Sequence, residues 1–294
     1  MPGGLRHDLW RKDEDEMADQ EVVPQWLVAA WERLYIIRNG GKPDRSVIVR
    51  NIQTPTLFGD VRIPRDRPQF PGATALRDLT DVQLQTLYDQ QGFSGFTTVE
   101  GYITTWHHEI DYQPPDGSVD IGRIELAGGR NMFEHGVQAS YLEHWWSLEN
   151  GGGNVFGVKV LRRQPDGGGR VFQILSVTGD HFIYARNRAR DLPMAPSLAD
   201  LIASTHATRD QILSYLDCEI SHGFVLGGRF PWEIQLSTIP FKQGQPLAFV
   251  TQIVVDPQTG AVSHKGDTGD AIWSFPVNTL NIEDLVVLFP GQDA

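Results

Sequence analysis

The stretches TDVQLQTLYDQQGFSGF (residues 80–96) and TRDQILSYLDCEISHGF (residues 208–224) decide the fold predicted for this chain. Five residues of the first stretch recur in the second at a constant offset of 128 positions, beginning with Thr80 and Thr208, and Leu84 corresponds to the similar Ile212. They mark the start of a helix, its buried face and the first residues of the next strand. A constant offset across three structural roles indicates a degenerate internal duplication of a β-helix-β module.

Outside the two helical regions, the sequence is typical of antiparallel strands. Short β-branched and aromatic runs alternate with turn sequences such as PPDGS at 114–118 and DPQTG at 256–260. The strands predicted over 96–112 and 224–239 are long enough to coil into a barrel. We therefore expect an all-β fold with two helical insertions, arranged as two antiparallel barrel halves.

A glycine-rich stretch at 151–154 is the best boundary between the halves. We expect residues 1–22 to be a disordered, charged leader, with Met17 as an alternative start. Residues 23–150 then form the first barrel-like half, which carries the candidate ligand site. Residues 151–294 form the second barrel-like half, which serves mainly as scaffold.

Composition limits the class of partner. The net charge of −12 argues against nucleic acid or an anionic membrane as the main partner, because both require clustered Lys and Arg. No apolar run is long enough to cross a membrane, and Cys218 is the single cysteine, which excludes an internal disulfide. A cytoplasmic location is the resulting expectation. The oligomeric state stays open.

Three segments resemble lipocalin-like (calycin) barrels: Gly101 to Ile110, Glu134 to Gly136 and Tyr141 to Trp145. In each, tryptophan or histidine alternates with polar residues, as along the meandering strands of that family. The resemblance implies a barrel with an internal ligand cavity, and no functional residue is transferred from it.

The strand predicted over 102–112 has an aromatic face and a polar face. Because alternate strand residues point in opposite directions, Trp106 and His108 are expected to face the interior, with His107 and Glu109 outside. Buried among aromatic rings, His108 is either a hydrogen-bonded core histidine or a catalytic base.

The segment from Tyr141 to Leu148 places either Glu143 or His144 inside the barrel, beside tryptophan in both cases. A buried carboxyl has a raised pKa and can exchange protons, but pairing with Arg62 or Arg123 is the simpler alternative. Asp60 and Arg62 share a strand face, which predicts either an internal ion pair or an arginine that orients an anion.

These residues predict a pocket for a small, largely apolar molecule, used for acid–base chemistry of the isomerase, dehydratase (lyase) or cyclase type. The expected catalytic and substrate-binding residues are His108, Glu134 and Glu143, and Arg62, Trp106, Tyr141 and Trp145, respectively. No dinucleotide, phosphate-loop, nucleophile-elbow or zinc-protease motif occurs, so neither a cofactor nor a metal is expected. The alternatives are a non-catalytic carrier of a hydrophobic ligand or haem, and a structural or interaction protein.

Overall fold

The computed structural model describes residues 22–148, 154–163, 169–265 and 271–289. The first of these ranges forms a closed eight-stranded antiparallel barrel, and the others contribute a six-stranded sheet that packs against it. The predicted leader and the glycines of the predicted boundary lie almost entirely outside the described residues.

Each barrel strand pairs with the strand before it in the chain, and the last strand pairs with the first. The eight strands are β1 Ala29–Arg38, β2 Val47–Gln53, β3 Leu57–Pro64, β4 Gln91–Glu100, β5 Ile103–Asp111, β6 Asp120–Leu126, β7 Asn131–Gly136 and β8 Tyr141–Ser147. This meander confirms the all-β prediction and the barrel of the first half.

The second half forms an open sheet, which corrects the prediction of a second barrel. Its strands are β9 Val155–Arg163, β10 Gly169–Thr178, β11 His181–Arg186, β12 Glu219–Phe224, β13 Glu233–Ser237 and β16 Ala271–Asn278, and β14 Ile253–Val255 pairs separately with β15 Val262–His264. The order β13-β12-β11-β10-β9-β16 leaves β16 at one edge. Pro276 lies within β16 and lacks an amide hydrogen for a further ladder, so this strand suits an edge and not a closed barrel.

Four short helices interrupt the described strands: α1 Asp81–Gln85, α2 Leu198–Thr205, α3 Arg209–Leu216 and α4 Ile282–Leu288. Capping boxes are present at Thr80 with Gln83 and at Thr208 with Gln211, where the repeated residues predict the start of a helix. Each box opens a helix, α1 or α3, and each helix precedes a strand. The two halves have different sheet topologies, so the duplication stays a prediction.

Two long predicted strands are each divided in the structure. The run over 96–112 is a hairpin of β4 and β5, because Gly101 adopts φ +63°, a left-handed conformation that favours a turn. The run over 224–239 is split between β12 and β13, which are joined by residues outside any strand.

The barrel and the open sheet share a core formed by their facing surfaces. Ile52, Leu57 and Val61 on the outer side of the barrel pack in one cluster with Ile183 and Ile220 of the sheet. At Gly59 the approach is so close that a Cβ atom would stand 2.4 Å from Ile183 Cγ2. No helix within the described ranges is long and apolar enough to span a membrane.

Candidate functional site

The barrel interior holds an aromatic cavity with a volume of about 20 Å³. Trp31, Trp106 and Trp145 line it, together with Phe93. The interior position of Trp106 and Trp145 agrees with their prediction as pocket residues. A volume of this size accommodates about one water molecule or one small chemical group.

Glu134 lies at the cavity wall and is 5% exposed. Tyr141 donates its hydroxyl to one carboxyl oxygen at 2.7 Å, and the Trp145 indole nitrogen donates to the other at 3.1 Å. Burial and the nearby carboxyls of Glu143 and Asp120 raise the pKa of Glu134 to about 8, against the opposing effects of the Tyr141 hydrogen bond and of Arg62. Glu134 therefore holds a proton at neutral pH. Burial and the adjacent Glu134 also raise the pKa of Tyr141.

Glu143 faces Glu134 across the β7–β8 ladder. The structure resolves the ambiguity of β8, because Glu143, Trp145 and Ser147 are buried and the alternate residues are less so. The guanidinium of Arg33 on β1 forms a buried ion pair with Glu143. Pairing with an arginine was predicted, but Arg33 occupies the place expected for Arg62 or Arg123.

Asp60 and Arg62 form the internal ion pair that their shared strand face predicts. Arg62 Nε lies 2.7 Å from Asp60 Oδ1, and both residues line the cavity. Burial lowers the pKa of the Arg62 guanidinium, but Asp60 and Glu143 reverse this and raise it above its ordinary value. Since Asp60 already compensates its charge, Arg62 is not a free receptor for an anion.

His108 lies at the mouth of the barrel, is exposed and does not line the cavity, so the prediction that it is buried in the interior is wrong. The strand register places it on the same face as Trp106, and its ring stacks on Phe93 with centroids 3.9 Å apart. Its Nδ1 lies 2.7 Å from Asp111, and its Nε2 lies 3.1 Å from Asp120. Burial lowers its pKa, but the hydrogen bonds to both aspartates outweigh this and raise the pKa to about 9. His108 is therefore an imidazolium at neutral pH, and not the free base predicted.

A β-bulge explains how Asp111 reaches His108. The register of β5 against β4 shifts between Ser94 and Gly95, so the faces of β5 exchange beyond His108. Asp111, which strict alternation places outside, thus lies on the inner side, and Ile110 packs between the barrel and the sheet.

The polar outer residues of β5 have partners, contrary to the prediction of a solvated face. Glu109 Oε1 lies 2.6 Å from the buried Lys159 Nζ on β9, which links the barrel to the sheet. His107 stacks on Phe96 and lies 2.9 Å from the Thr98 hydroxyl. Both residues point away from the cavity, as predicted.

Outside the mouth lies a groove with a volume of about 550 Å³. Residues of the 113–119 loop and Met194 form its outer part, and His108 lies within it. Phe93, Trp106 and Asp120 line both the groove and the inner cavity, so the two spaces adjoin. The groove has the size of a small-molecule site.

Several residues of the site were not predicted from the sequence. Trp31 and Arg33 lie on β1, for which no strand was predicted, although the run from Leu34 to Ile37 is rich in strand-forming residues. Asp120 opens β6 directly after the predicted PPDGS turn, and that position is the signal for it. Among the described residues, no group of three or more His, Cys, Asp or Glu side chains is arranged to hold a metal ion.

No protein-family model matches this chain. No curated protein matches it. One solved structure, an uncharacterized protein from Saccharomyces cerevisiae, aligns with a TM-score of 0.47 at 10% sequence identity, covering 86% of this chain and 100% of that one.

Proposed function

We propose that this protein binds a small molecule at the mouth of its barrel. The body of the ligand lies in the groove, and one small group enters the cavity between the tryptophans. The observation that carries the proposal is the sharing of Phe93, Trp106 and Asp120 by cavity and groove, which places the two spaces side by side. The cavity has a volume of about 20 Å³ and the groove a volume of about 550 Å³, so the groove holds most of the ligand.

The resemblance to lipocalin-like (calycin) barrels enters here as part of the proposal. It is supported by the eight-stranded meander and by the aromatic residues inside it. The inner cavity is too small for a haem or a bulky hydrophobic ligand, so the carrier alternative applies to the groove. The acidic chain and its single cysteine, which is buried, support a cytoplasmic location without a nucleic-acid or membrane partner.

The test fills the groove and leaves the barrel intact. Val119 lines the groove and is 51% exposed, whereas Val137 is 49% exposed and lies at another loop of the barrel. Small molecules that remain bound through native purification are identified by mass spectrometry for the wild type, Val119→Trp and Val137→Trp. We expect the ligand to be lost from Val119→Trp alone. Retention in both variants, or no small molecule in any of the three, contradicts the proposal.

An acid–base enzyme is the second candidate, and the protonated, buried Glu134 beside Tyr141 favours it. A carboxyl with a pKa near the working pH can both donate and accept a proton. The experiment incubates the retained molecule in heavy water with the wild type or with Glu134→Gln. Deuterium incorporation that requires Glu134 supports an isomerase, dehydratase or cyclase. Equal deuterium incorporation with both proteins contradicts the enzyme function, and binding is then the one function that is supported.

A further inference from the structure

We propose that the group that enters the cavity is a primary ammonium, so that the ligand is an amine with an apolar body. This inference rests on the proposed binding function and names its ligand class. It is carried by the charges, the aromatic walls and the volume of the cavity.

Carboxyl groups outnumber cationic groups in the lining of the cavity. Three carboxyl groups and one guanidinium line it, and Arg62 is paired with Asp60. Asp120 contacts His108 from the groove side. Glu134, although 5% exposed, makes no ion pair with any described residue, and its two hydrogen-bond donors, Tyr141 and Trp145, are neutral. A cation bound beside Glu134 supplies the positive partner that no described residue provides for this carboxyl group.

The walls also favour a cation. The cavity is bounded by three indole rings and the ring of Phe93. Aromatic faces attract cations through their quadrupole, and tryptophan does so most strongly. An anionic group finds no free guanidinium in this cavity, because Arg62 is paired with Asp60, so the same cavity disfavours it.

The volume selects among cations. A cavity of about 20 Å³ holds a group the size of a water molecule, and a primary ammonium head has that size. A trimethylammonium head is several times larger than this volume, so we expect it to bind more weakly than a primary ammonium. The remainder of the ligand extends past Phe93 into the groove, where Met194 and Val119 offer apolar contact.

Binding then releases a proton. The ammonium group arrives already charged, the Glu134 carboxylic acid loses its proton to solvent, and an ammonium–carboxylate pair forms in the cavity. Glu143, Asp120 and Arg62 act on the Glu134 carboxyl in both states. Proton release is therefore greatest below the raised pKa of Glu134 and declines above it, and the affinity for the ammonium rises as the pH increases through that pKa.

The experiment uses four probes that share a phenethyl body: phenethylamine, phenethyl alcohol, hydrocinnamate and trimethylphenethylammonium. Tryptophan fluorescence gives the affinities, and calorimetry in phosphate and HEPES buffers, neither of which contains a primary amine, gives proton release. We expect phenethylamine to bind at least about ten-fold more tightly than the other three probes. Glu134→Gln should abolish this preference and the proton release while retaining the weak binding of the alcohol. Glu125→Gln is the matched control, since Glu125 neighbours Ile124, the partner of Glu134, but its side chain is exposed.

The outcomes separate the two proposals. Equal binding of the amine and the alcohol, or preference for hydrocinnamate, overturns the ammonium inference and leaves the groove function standing. The ammonium inference also falls if Glu134→Gln keeps the amine preference while its circular dichroism matches that of the wild type. If no probe binds and no molecule is retained through purification, both proposals are overturned.

Discussion

Glu134 and Glu143 are direct cross-strand neighbours on β7 and β8, yet only Glu143 has a guanidinium partner. Two carboxylates this close repel each other, and a single arginine compensates one of them. The consequence is a division of states at neutral pH: Glu143 is part of a buried ion pair, and Glu134 is a neutral acid that faces the cavity.

Removal of the charge of Glu143 should lower the pKa of Glu134. In Glu143→Gln the like charge is gone, and Arg33 is left to attract the Glu134 carboxylate, so both effects act in one direction. Carboxyl carbon NMR of glutamate-labelled protein measures the titration midpoint, which should fall from about 8 by at least about one unit. The exposed variant Glu125→Gln should leave the midpoint in place. An unchanged midpoint in Glu143→Gln shows that burial alone sets this pKa.

Glu134 should make the protein less stable as the pH rises. Its pKa in the folded chain is about 8, above the ordinary value of 4.5, so its contribution is complete below the unfolded-state pKa and is lost as the pH rises through the folded-state pKa. Between pH 5 and pH 8 the wild type should lose about 1 kcal/mol of unfolding free energy per pH unit relative to Glu134→Gln. Urea unfolding of both proteins at each pH measures the difference. Parallel pH curves for the two proteins contradict the assignment.

The ion pair of Arg33 with Glu143 should show strong energetic coupling. Arg33→Met leaves a buried, unpaired carboxylate and should reduce the free energy of unfolding by about 3–5 kcal/mol. In the double variant, Arg33→Met with Glu143→Gln, no charge remains unpaired, so most of that loss should be recovered. Chemical denaturation of the two single variants and the double variant completes the cycle. Additive losses would show that the two groups do not interact in the folded protein.

His108 should titrate at about 9, and Asp120→Asn should lower that midpoint. The aspartate 3.1 Å from Nε2 stabilises the imidazolium, whereas the amide of asparagine carries no charge. Asp111 remains as the second partner, so the pKa should stay above that of a free histidine if the Asp111 bond dominates. Histidine ring NMR provides the measurement, with Asp200→Asn on α2 as a distant control. A midpoint unaffected by Asp120→Asn removes Asp120 from the interaction.

Alternation along strands accounts for the parts of the site that were predictable. Residues two positions apart share a face, which is enough to pair Asp60 with Arg62 and to group Glu143 with Trp145. Alternation fails where the chain departs from a regular strand. The bulge after His108 moves Asp111 to the inner side, and its local mark is Gly95 on the facing strand, where a Cβ atom would stand 1.9 Å from the His107 carbonyl oxygen.

Much of the remainder of the site depends on closure of the barrel, which brings together residues far apart in the sequence. Arg33 meets Glu143 only because β1 returns to β8 and closes the barrel, across 110 positions of sequence. With β1 unrecognised, neither its arginine nor Trp31 could be assigned to the interior. The second half was mispredicted for a related reason: the edge position of β16 depends on Pro276 and on sheet order, and strand composition does not encode sheet order.

The close contact between Gly59 of the barrel and Ile183 of the sheet makes the wall that faces the sheet stiff. The opposite wall of the barrel is more compliant. On the sheet side, β2 and β3 have no free volume into which to move, since even one added carbon at Gly59 collides with Ile183. On the opposite side, Arg123 and Glu125 of β6 project into solvent. Any widening of the interior therefore displaces β6 and its neighbours, and substitutions on that wall alter how large a guest the barrel admits.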